Sequence, residues 1–380
     1  MSRLAIDGRS AQYTGGGVPR YSADLIKSLS AYTSEFEFLL LFDEKLTTAH
    51  IELPPGSSKL YTSVAKNSRL RDTWEQLVLP RLLSKHHVDL FHGLDYMIPW
   101  TPCRFGRVVT MHDATVFSEH DPRSMVAKAR LKMMIHLAAS SADTIITDSD
   151  FSASQLERFV PSARGKITRI WAGVSNTFLE TPDEVVCRNV LEKVPRDKGF
   201  ILYYGGYRKY KNVHLLLRAY AQVAAKFPHD LVLVGSANSI DGTYSALIHE
   251  LGLDDRVTLF GFATDVELKV LLANCAVFVF PSATEGFGLP IVEAMACGAP
   301  VVCSTGGSLP EIAGDAALYV NDLTADALAS AIQRVLTNED LRQKLLNAGI
   351  LRSRQFRWSE AARQLVDVYH EVTQKRKSHS

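Results

Sequence analysis

The 380-residue sequence lacks any apolar run close to the ~20 residues that a helix needs to cross a bilayer. Its first residues, MSRLAIDGRS, lack the apolar stretch of a secretory signal peptide. Only five cysteines are present and none forms a Cys-x-x-Cys pair, which disfavours a zinc site or a disulfide framework. We therefore predict a cytoplasmic protein with reduced thiols, and leave a contact with the inner face of the membrane open.

A strong net charge is absent as well. The 42 Lys and Arg residues nearly balance the 41 Asp and Glu residues, leaving a formal charge of +1. A general nucleic-acid binder would be strongly basic, so no nucleic-acid partner is expected. The chain has no P-loop, no Gly-x-Ser-x-Gly elbow and no histidine spacing typical of a metal site. Its first glycine loop lacks the G-x-G-x-x-G fingerprint, which disfavours an NAD-dependent dehydrogenase.

Short apolar runs alternate with helix-like segments along the whole chain. This alternation predicts an α/β protein with parallel sheets covered on both faces, and the length favours two domains. We predict two Rossmann-like domains, residues 1–180 and 196–355, with an interdomain connection in the polar segment Phe178–Lys198. The predicted strands are Arg3–Asp7, Phe36–Phe42, Val88–His92, Arg107–His112, Thr144–Asp148, Lys166–Val174, Phe200–Gly205, Asp230–Gly235, Val257–Phe260, Val277–Phe280 and Pro300–Ser304.

The stretch Ala276–Val302 is the first candidate for a ligand site. It reads as a strand, a glycine-containing loop and a helix that opens on Pro290, and open α/β sheets bind ligands where strands end and helices begin. Glu285 lies beside glycines in the loop, where stability gives little reason for a carboxylate. Glu293 is expected in the first helical turn, where it either complements the helix dipole or accepts bonds from two vicinal hydroxyls. Backbone N–H groups at the helix start can bind an anion or sugar oxygens.

Two further glycine loops follow predicted strands. The loop Gly205–Asn212 carries Arg208, Lys209 and Lys211 at the end of its strand, where cations can hold a diphosphate. A solvated run of charges is the alternative interpretation. The loop Gly8–Gly17 contains three consecutive glycines, which either permit a tight turn or bring the backbone close to a phosphate or sugar.

A histidine and two basic segments complete the pattern. His112, followed by Asp113, ends a predicted strand and is a candidate to stabilise a reacting centre, although a lone histidine there is more often structural. The segments Asn67–Lys85 and Ser124–Ala139 combine basic and apolar residues. We favour half-buried helices with a solvated face over membrane-surface helices.

These motifs together resemble the retaining glycosyltransferases of family four, also called group 1, which have the GT-B fold. Glu285–Glu293, followed by Ala-Met-Ala-Cys-Gly-Ala-Pro-Val, is similar to the E-x7-E signature of that family. Gly15–Arg20 resembles the N-terminal glycine loop, Val108–Asp113 the strand that ends in His-Asp, and Gly205–Asn212 the phosphate-binding loop. The resemblance implies two Rossmann-like domains facing each other across a cleft, with donor mainly on the second and acceptor mainly on the first. It also implies that a final helix, residues 358–380, packs on the N-terminal domain.

The resemblance gives these residues roles. Glu293 would bind the ribose hydroxyls and Glu285 the transferred sugar, while Lys211 and Arg208 would neutralise the leaving diphosphate. Family members often carry Arg directly after the first glycine of this loop. Since Gly206 and Tyr207 intervene here, Arg208 and Lys209 both stay candidates. The other implied site residues are His112, at the sugar and reacting face, and the backbone at Gly16, Gly17, Gly206, Gly286, Phe287, Gly288 and Leu289.

The resemblance implies hexosyl transfer without a cofactor or metal. The segments GGGVPRY, TWEQLVLP and HGLDYMIP are similar to bacterial mannosyltransferases of O-antigen or exopolysaccharide synthesis, which implies GDP-mannose as donor and a lipid-linked sugar acceptor. A UDP-sugar or another GDP-sugar, a nucleotide-sugar epimerase of the same fold and a non-catalytic binding protein are the alternatives. Front-face substitution is the expected route to retention, since no carboxylate is a compelling nucleophile and Glu285 is better assigned to holding sugar hydroxyls.

Overall fold

A computed structural model describes residues 1–63, 68–119, 121, 123–194, 198–235 and 242–378, with backbone alone at 68–70. The chain divides into two compact units. Unit 1 comprises Met1–Gly173 and Arg357–Ser380, and unit 2 comprises Val174–Phe356. Each unit is built around one parallel sheet with helices on its faces.

Unit 1 contains a seven-stranded sheet in the order β3-β2-β1-β4-β5-β6-β7. Its strands are β1 (Ser2–Asp7), β2 (Phe36–Asp43), β3 (Ser58–Thr62), β4 (Leu90–Gly93), β5 (Gly106–Thr110), β6 (Thr144–Thr147) and β7 (Ile167–Arg169). Its helices are α1 (Gly17–Ser28), α2 (Ser68–Leu77), α3 (Leu79–Lys85), α4 (Met125–Ser141), α5 (Asp150–Phe159) and α14 (Trp358–Ser378).

The register of unit 1 aligns the carboxyl ends of its central strands. Ile6 of β1 pairs with His92 of β4, His92 pairs with Val108 of β5, and Thr110 pairs with Ile146 of β6. Most residues of these strands are buried, as expected for parallel strands covered on both faces. The residues just after each strand therefore share one edge of the sheet.

Helix α14 packs within unit 1 through an apolar face at helical spacing. Tyr369 is fully buried and lies edge-on to Phe36 of β2, and Val372 fills the space that a side chain at Gly106 would take. A Cβ on Gly106 would lie 2.5 Å from Val372 Cγ1, so this glycine permits close contact between helix and sheet.

Unit 2 contains a six-stranded sheet in the order β10-β9-β8-β11-β12-β13. Its strands are β8 (Phe200–Tyr204), β9 (Asp230–Val234), β10 (Val257–Gly261), β11 (Val277–Phe280), β12 (Val301–Ser304) and β13 (Ala317–Val320). Its helices are α6 (Glu184–Leu191), α7 (Val213–Ala224), α8 (Gly242–Glu250), α9 (Asp265–Asn274), α10 (Leu289–Ala296), α11 (Leu309–Ala313), α12 (Ala325–Thr337) and α13 (Glu339–Ser353).

The predicted connection Phe178–Lys198 is folded into unit 2. Phe178 is fully buried, and the Asp183 carboxylate caps α6 by accepting from the N–H groups of two valines in its first turn. Helix α6 packs on α9, and Lys193 pairs with Glu267 at 2.8 Å. Pro195, one of the residues that pointed to a linker, lies outside the described residues.

Three other sequence expectations differ from the structure. The amphipathic segment Asn67–Lys85 forms two helices that meet at Val78, while Asn67 and the side chain of Arg69 lie outside the described part. The strand expected at Lys166–Val174 is limited to the three residues of β7. Strands β3 and β13 were missed. Both lie at a sheet edge, and β3 alternates exposed with partly buried side chains.

Candidate functional site

Helix α10 and the loop before it form the centre of the site in unit 2. The helix begins at Leu289, so Pro290 occupies its second position. The sequence had predicted Pro290 at the first position. Gly288 precedes the helix with φ of 100°, a conformation that favours glycine, and Gly298 follows it with φ of 74°. The backbone N–H groups from Gly286 to Leu289 thus lie at the start of the helix, at the end of the loop that follows the buried strand β11.

Glu285 and Lys211 come from different loops and form one ion pair. Glu285 Oε1 accepts from Lys211 Nζ at 2.5 Å, and the two side chains are only 12% and 14% exposed. The backbone N–H of Ala283 donates to Tyr210 O at 2.7 Å, and Asn212 Nδ2 donates to Pro281 O at 3.0 Å. The structure therefore brings the loop after β8 and the loop after β11 into direct contact, with a carboxylate and an ammonium group at their junction.

A third loop, which sequence reasoning missed, supports this junction. Ser308 Oγ donates to Phe287 O at 2.8 Å and to Glu285 O at 3.2 Å, and the Ser308 N–H also donates to Glu285 O. A Cβ on Gly307 would lie 2.3 Å from Glu285 O, so only glycine allows this approach. The available signal was the Thr-Gly-Gly-Ser turn directly after β12.

Glu293 lies in the second turn of α10, so the expected first-turn position is wrong. A helix dipole acts mainly within the first turn, which weakens that explanation for the residue. The side chain is also buried, with 2% of the residue exposed. Glu293 is therefore a buried carboxylate on the helix that directly follows the Glu285 loop.

The remaining cations of the site are exposed. Arg208 and Lys209 both extend into solvent from the turn after Gly206, whereas Lys211 is held by Glu285. The Tyr207 ring is buried against Gly235, where a Cβ would lie 2.5 Å from Tyr207 Cε2. This buried ring anchors the turn, so Arg208 and Lys209 project from a fixed backbone and either can reach an anionic ligand.

The glycine loop of unit 1 ends at the start of α1. Gly16 is the residue before the helix, with φ of 92°, and Gly17 is its first residue. Both are exposed. The loop thus presents helix-start N–H groups at the carboxyl edge of the sheet, where an anion or sugar oxygen can bind.

His112 is buried and bonded through both ring nitrogens. Its Nδ1 lies 2.8 Å from Asp148 Oδ2, and its Nε2 lies 3.0 Å from Leu94 O. Burial alone would lower the pKa of His112, but the charge and hydrogen bond of Asp148 overcome that effect and, with Asp95, raise the pKa to about 9. The predicted strand end is also displaced, because β5 stops at Thr110.

His92 lies on the neighbouring strand β4 and, unlike His112, is neutral. Its Nδ1 lies 2.7 Å from the Tyr369 hydroxyl and its Nε2 lies 2.9 Å from Thr110 Oγ1. Burial, followed by the charge of His112, lowers the pKa of His92 to about 3. His92 is therefore a neutral member of a buried hydrogen-bond network that reaches α14.

A second group at this edge was also missed. Arg9 pairs with Asp7 at 2.5 Å and with Glu75 at 3.2 Å, and its guanidinium lies 5.7 Å from the centroid of the Trp74 ring. Burial is the main cause of a raised pKa for Glu75. The signal for this cluster was a carboxylate and a guanidinium on either side of Gly8, directly after β1.

The part of the chain that the structure describes lacks two further features. In that part of the chain, no helix combines the length and the apolar character needed to cross a membrane. Nor do three or more His, Cys, Asp or Glu side chains among these residues form a group that could hold a metal ion.

Comparison with known families identifies the class of protein. The family described as glycosyl transferases group 1 matches residues 191–352, and the family described as glycosyltransferase family 4 matches residues 15–178. Together these matches cover most of both units. The chain belongs to the group 1, family 4 glycosyltransferases, and its two parallel α/β units are those of the GT-B fold.

Particular relatives extend this result. The chain is 30% identical over 377 residues to O-antigen chain mannosyltransferase B of Escherichia coli, covering 94% of this chain and 97% of that protein. It is 37% identical over 166 residues to MMP alpha-(1->4)-mannosyltransferase of Mycolicibacterium hassiacum, covering 43% of this chain and 40% of the relative.

Solved structures agree on the fold. Sucrose-phosphate synthase of Thermosynechococcus elongatus superimposes with a TM-score of 0.81 at 25% identity, covering 98% of this chain and 99% of that structure. HepE of Anabaena, in complex with UDP and glucose, gives a TM-score of 0.77 at 21% identity, covering 97% and 99%.

Proposed function

We propose that this glycosyltransferase transfers mannose from GDP-mannose to a lipid-linked sugar acceptor in bacterial surface polysaccharide synthesis. The observation that carries the proposal is the largely buried Glu285–Lys211 pair beside the start of α10. Similarity to an O-antigen mannosyltransferase over 94% of the chain supports the choice of sugar and pathway.

The geometry of unit 2 supports a division of roles in donor binding. Glu293 holds the ribose hydroxyls and Glu285 holds the mannosyl hydroxyls. Lys211, which is paired with Glu285, neutralises the leaving diphosphate. Arg208 or Lys209 binds the diphosphate from the solvent side. The N–H groups from Gly286 to Leu289 stabilise negative charge as the diphosphate leaves.

Retention of configuration is proposed to follow a front-face substitution. The bond from the anomeric carbon to the diphosphate oxygen breaks, and a bond from that carbon to the acceptor oxygen forms on the same face. The acceptor hydroxyl proton passes to an oxygen of the leaving diphosphate. Glu285 is engaged by Lys211, which favours a binding role for this carboxylate over nucleophilic attack. Cations already in place supply the charge that a metal would supply, so the reaction is proposed to need none.

A peripheral membrane contact is proposed for the first turns of α4. Met125 and Val126 are 87% and 77% exposed, and Lys128 and Lys132 follow them on the same helix. The second half of the helix packs on the core through Met134 and neighbouring residues. Exposed apolar side chains beside cations are suited to an anionic lipid surface, where a lipid-linked acceptor would be found.

The donor is tested by thermal shift with GDP, UDP, ADP and their sugars, because a bound nucleotide raises the melting temperature by mass action. GDP and GDP-mannose are expected to give the largest shifts. Larger shifts with UDP and its sugars would overturn the GDP assignment.

Transfer is then followed by NMR of the new anomeric proton with and without EDTA. An inverted anomer, a requirement for metal, or free altered sugar without acceptor would each contradict the corresponding part of the proposal.

The membrane contact is tested separately. Met125→Ser and Val126→Ser together should weaken binding to vesicles containing anionic lipid and leave GDP affinity unchanged. Leu351→Ser is the matched control, since Leu351 is also exposed but lies on α13 of unit 2. Equal vesicle binding by the double variant and the control would exclude α4 as the contact.

A further inference from the structure

The surroundings of His112 determine where its protons are. A backbone carbonyl can only accept, so Nε2 must carry a hydrogen that it donates to Leu94 O. Nδ1 faces a carboxylate oxygen of Asp148 at 2.8 Å, and an ionised carboxylate also only accepts. Both ring nitrogens therefore act as donors, which is the hydrogen-bonding pattern of an imidazolium ion.

The main chain of His112 is fixed as well. Ser152 Oγ, on α5, donates to His112 O at 2.9 Å, and the Ser149 side chain caps the same helix. The Tyr21 ring of α1 lies edge-on to the imidazole, with 4.7 Å between the centroids. His112 is thus contacted from the segments after β4 and β6 and from two helices.

Other charged and titratable groups also face His112. Asp95 and Asp148 favour its charged form, whereas His92 is neutral. The phenols of Tyr21 and Tyr96 are buried, and burial is the main cause of their raised pKa values, so both stay uncharged. Asp148 is the carboxylate in direct contact and is itself 5% exposed, so its charge acts with little screening.

We propose that Asp148 is a positioning residue that holds His112 as a doubly donating imidazolium. His112 then serves the transfer as a fixed cation and not as a proton acceptor, an inference that rests on the proposed function. The proton of the acceptor hydroxyl must therefore go to another group, in agreement with its transfer to the leaving diphosphate. Loss of the Asp148 carboxylate should convert His112 into an ordinary buried, neutral histidine like His92.

The charge state is measured directly by NMR of protein labelled with ¹⁵N-histidine, with His112→Gln identifying the resonance. In the wild type, His112 should stay protonated until about pH 9. In Asp148→Asn the midpoint should fall below the ordinary value of about 6.5, because burial remains after the carboxylate is removed. Asp150→Asn is the matched control: this carboxylate is two residues away, exposed, and paired with Arg169. A wild-type midpoint at or below 6.5, or one unchanged in Asp148→Asn, would overturn the proposal.

Activity provides the second measurement. At pH 8, Asp148→Asn should lower kcat by at least about tenfold with little change in KM for the donor, and the ratio of variant to wild-type kcat should rise above about pH 9, where the wild type loses the same charge. Asp150→Asn should keep wild-type kcat. A loss that is equal at all pH values, or no loss, would exclude a role for the charge.

If the wild type transfers no sugar, the proposed function is wrong, but the NMR titration still tests whether Asp148 keeps His112 protonated. If Asp148→Asn does not fold, the wild-type titration decides.

Discussion

The carboxyl edges of the two sheets carry polar residues in opposite ways. In unit 2, the edge offers a helix start and the exposed Arg208 and Lys209, with one largely buried ion pair between Glu285 and Lys211. In unit 1, both nitrogens of His92 and of His112 are bonded to partners inside the same unit. The edge in unit 2 can receive a charged ligand, whereas the edge in unit 1 holds a preformed charge in place. The two edges should therefore respond differently to mutation.

The largest effect is expected from Lys211→Gln in unit 2. It removes a preorganised cation and leaves Glu285 without its partner, so kcat should fall by about 10²–10³. Lys226→Gln, at an exposed lysine of the same unit, is the control and should transfer at the wild-type rate. The measurement is steady-state transfer from GDP-mannose. A Lys211→Gln enzyme within threefold of wild type would remove the basis for assigning this edge to the leaving group.

Glu293→Gln should weaken nucleotide binding by roughly 10-fold, since a bidentate carboxylate–hydroxyl contact would become a weaker amide contact. Calorimetry with GDP and with its 2′,3′-dideoxy analogue tests the assignment to ribose. The wild type should prefer GDP and the variant should bind both nucleotides about equally. If the variant kept the full preference for GDP, Glu293 would not be the ribose ligand.

Ser308→Ala tests the support beneath the unit 2 site. It removes the hydroxyl that donates to Phe287 O and Glu285 O, so unfolding free energy should fall by about 1–3 kcal/mol. Ser154→Ala is the control because its hydroxyl donates to a single carbonyl in an exposed helix turn. Denaturant unfolding of both variants measures the difference. Equal stabilities would show that this turn does not hold the loop.

Features of the two edges that depend on local sequence could be predicted, whereas those that depend on long-range contacts could not. The parallel α/β architecture follows from apolar strands that must be covered on both faces, and the comparisons and the structure confirm it. The position of Glu285 after β11 also follows, because the motif is local and its glycines mark the turn. In contrast, Tyr369 contacts His92 across 277 residues, and nothing near either residue in sequence indicates that partner. Asp148 was seen only as a polar strand end, since its contact with His112 depends on the register of β5 and β6.

The smallest effect expected is a pH dependence of stability that comes from unit 1. His92 has a pKa of about 3 when folded, so the unfolded chain takes up a proton first as the pH falls below about 6.5. Stability from this group is therefore present above 6.5 and is lost on acidification, by about 1 kcal/mol between pH 7 and 5.5. His112 has the opposite sign: its pKa is raised, so its contribution is present below 6.5 and is lost as the pH rises through about 9. In denaturant unfolding, His92→Gln should flatten the acidic limb and His112→Gln the alkaline limb. If both variants kept both slopes, His92 would not be neutral and His112 would not be charged in the folded state.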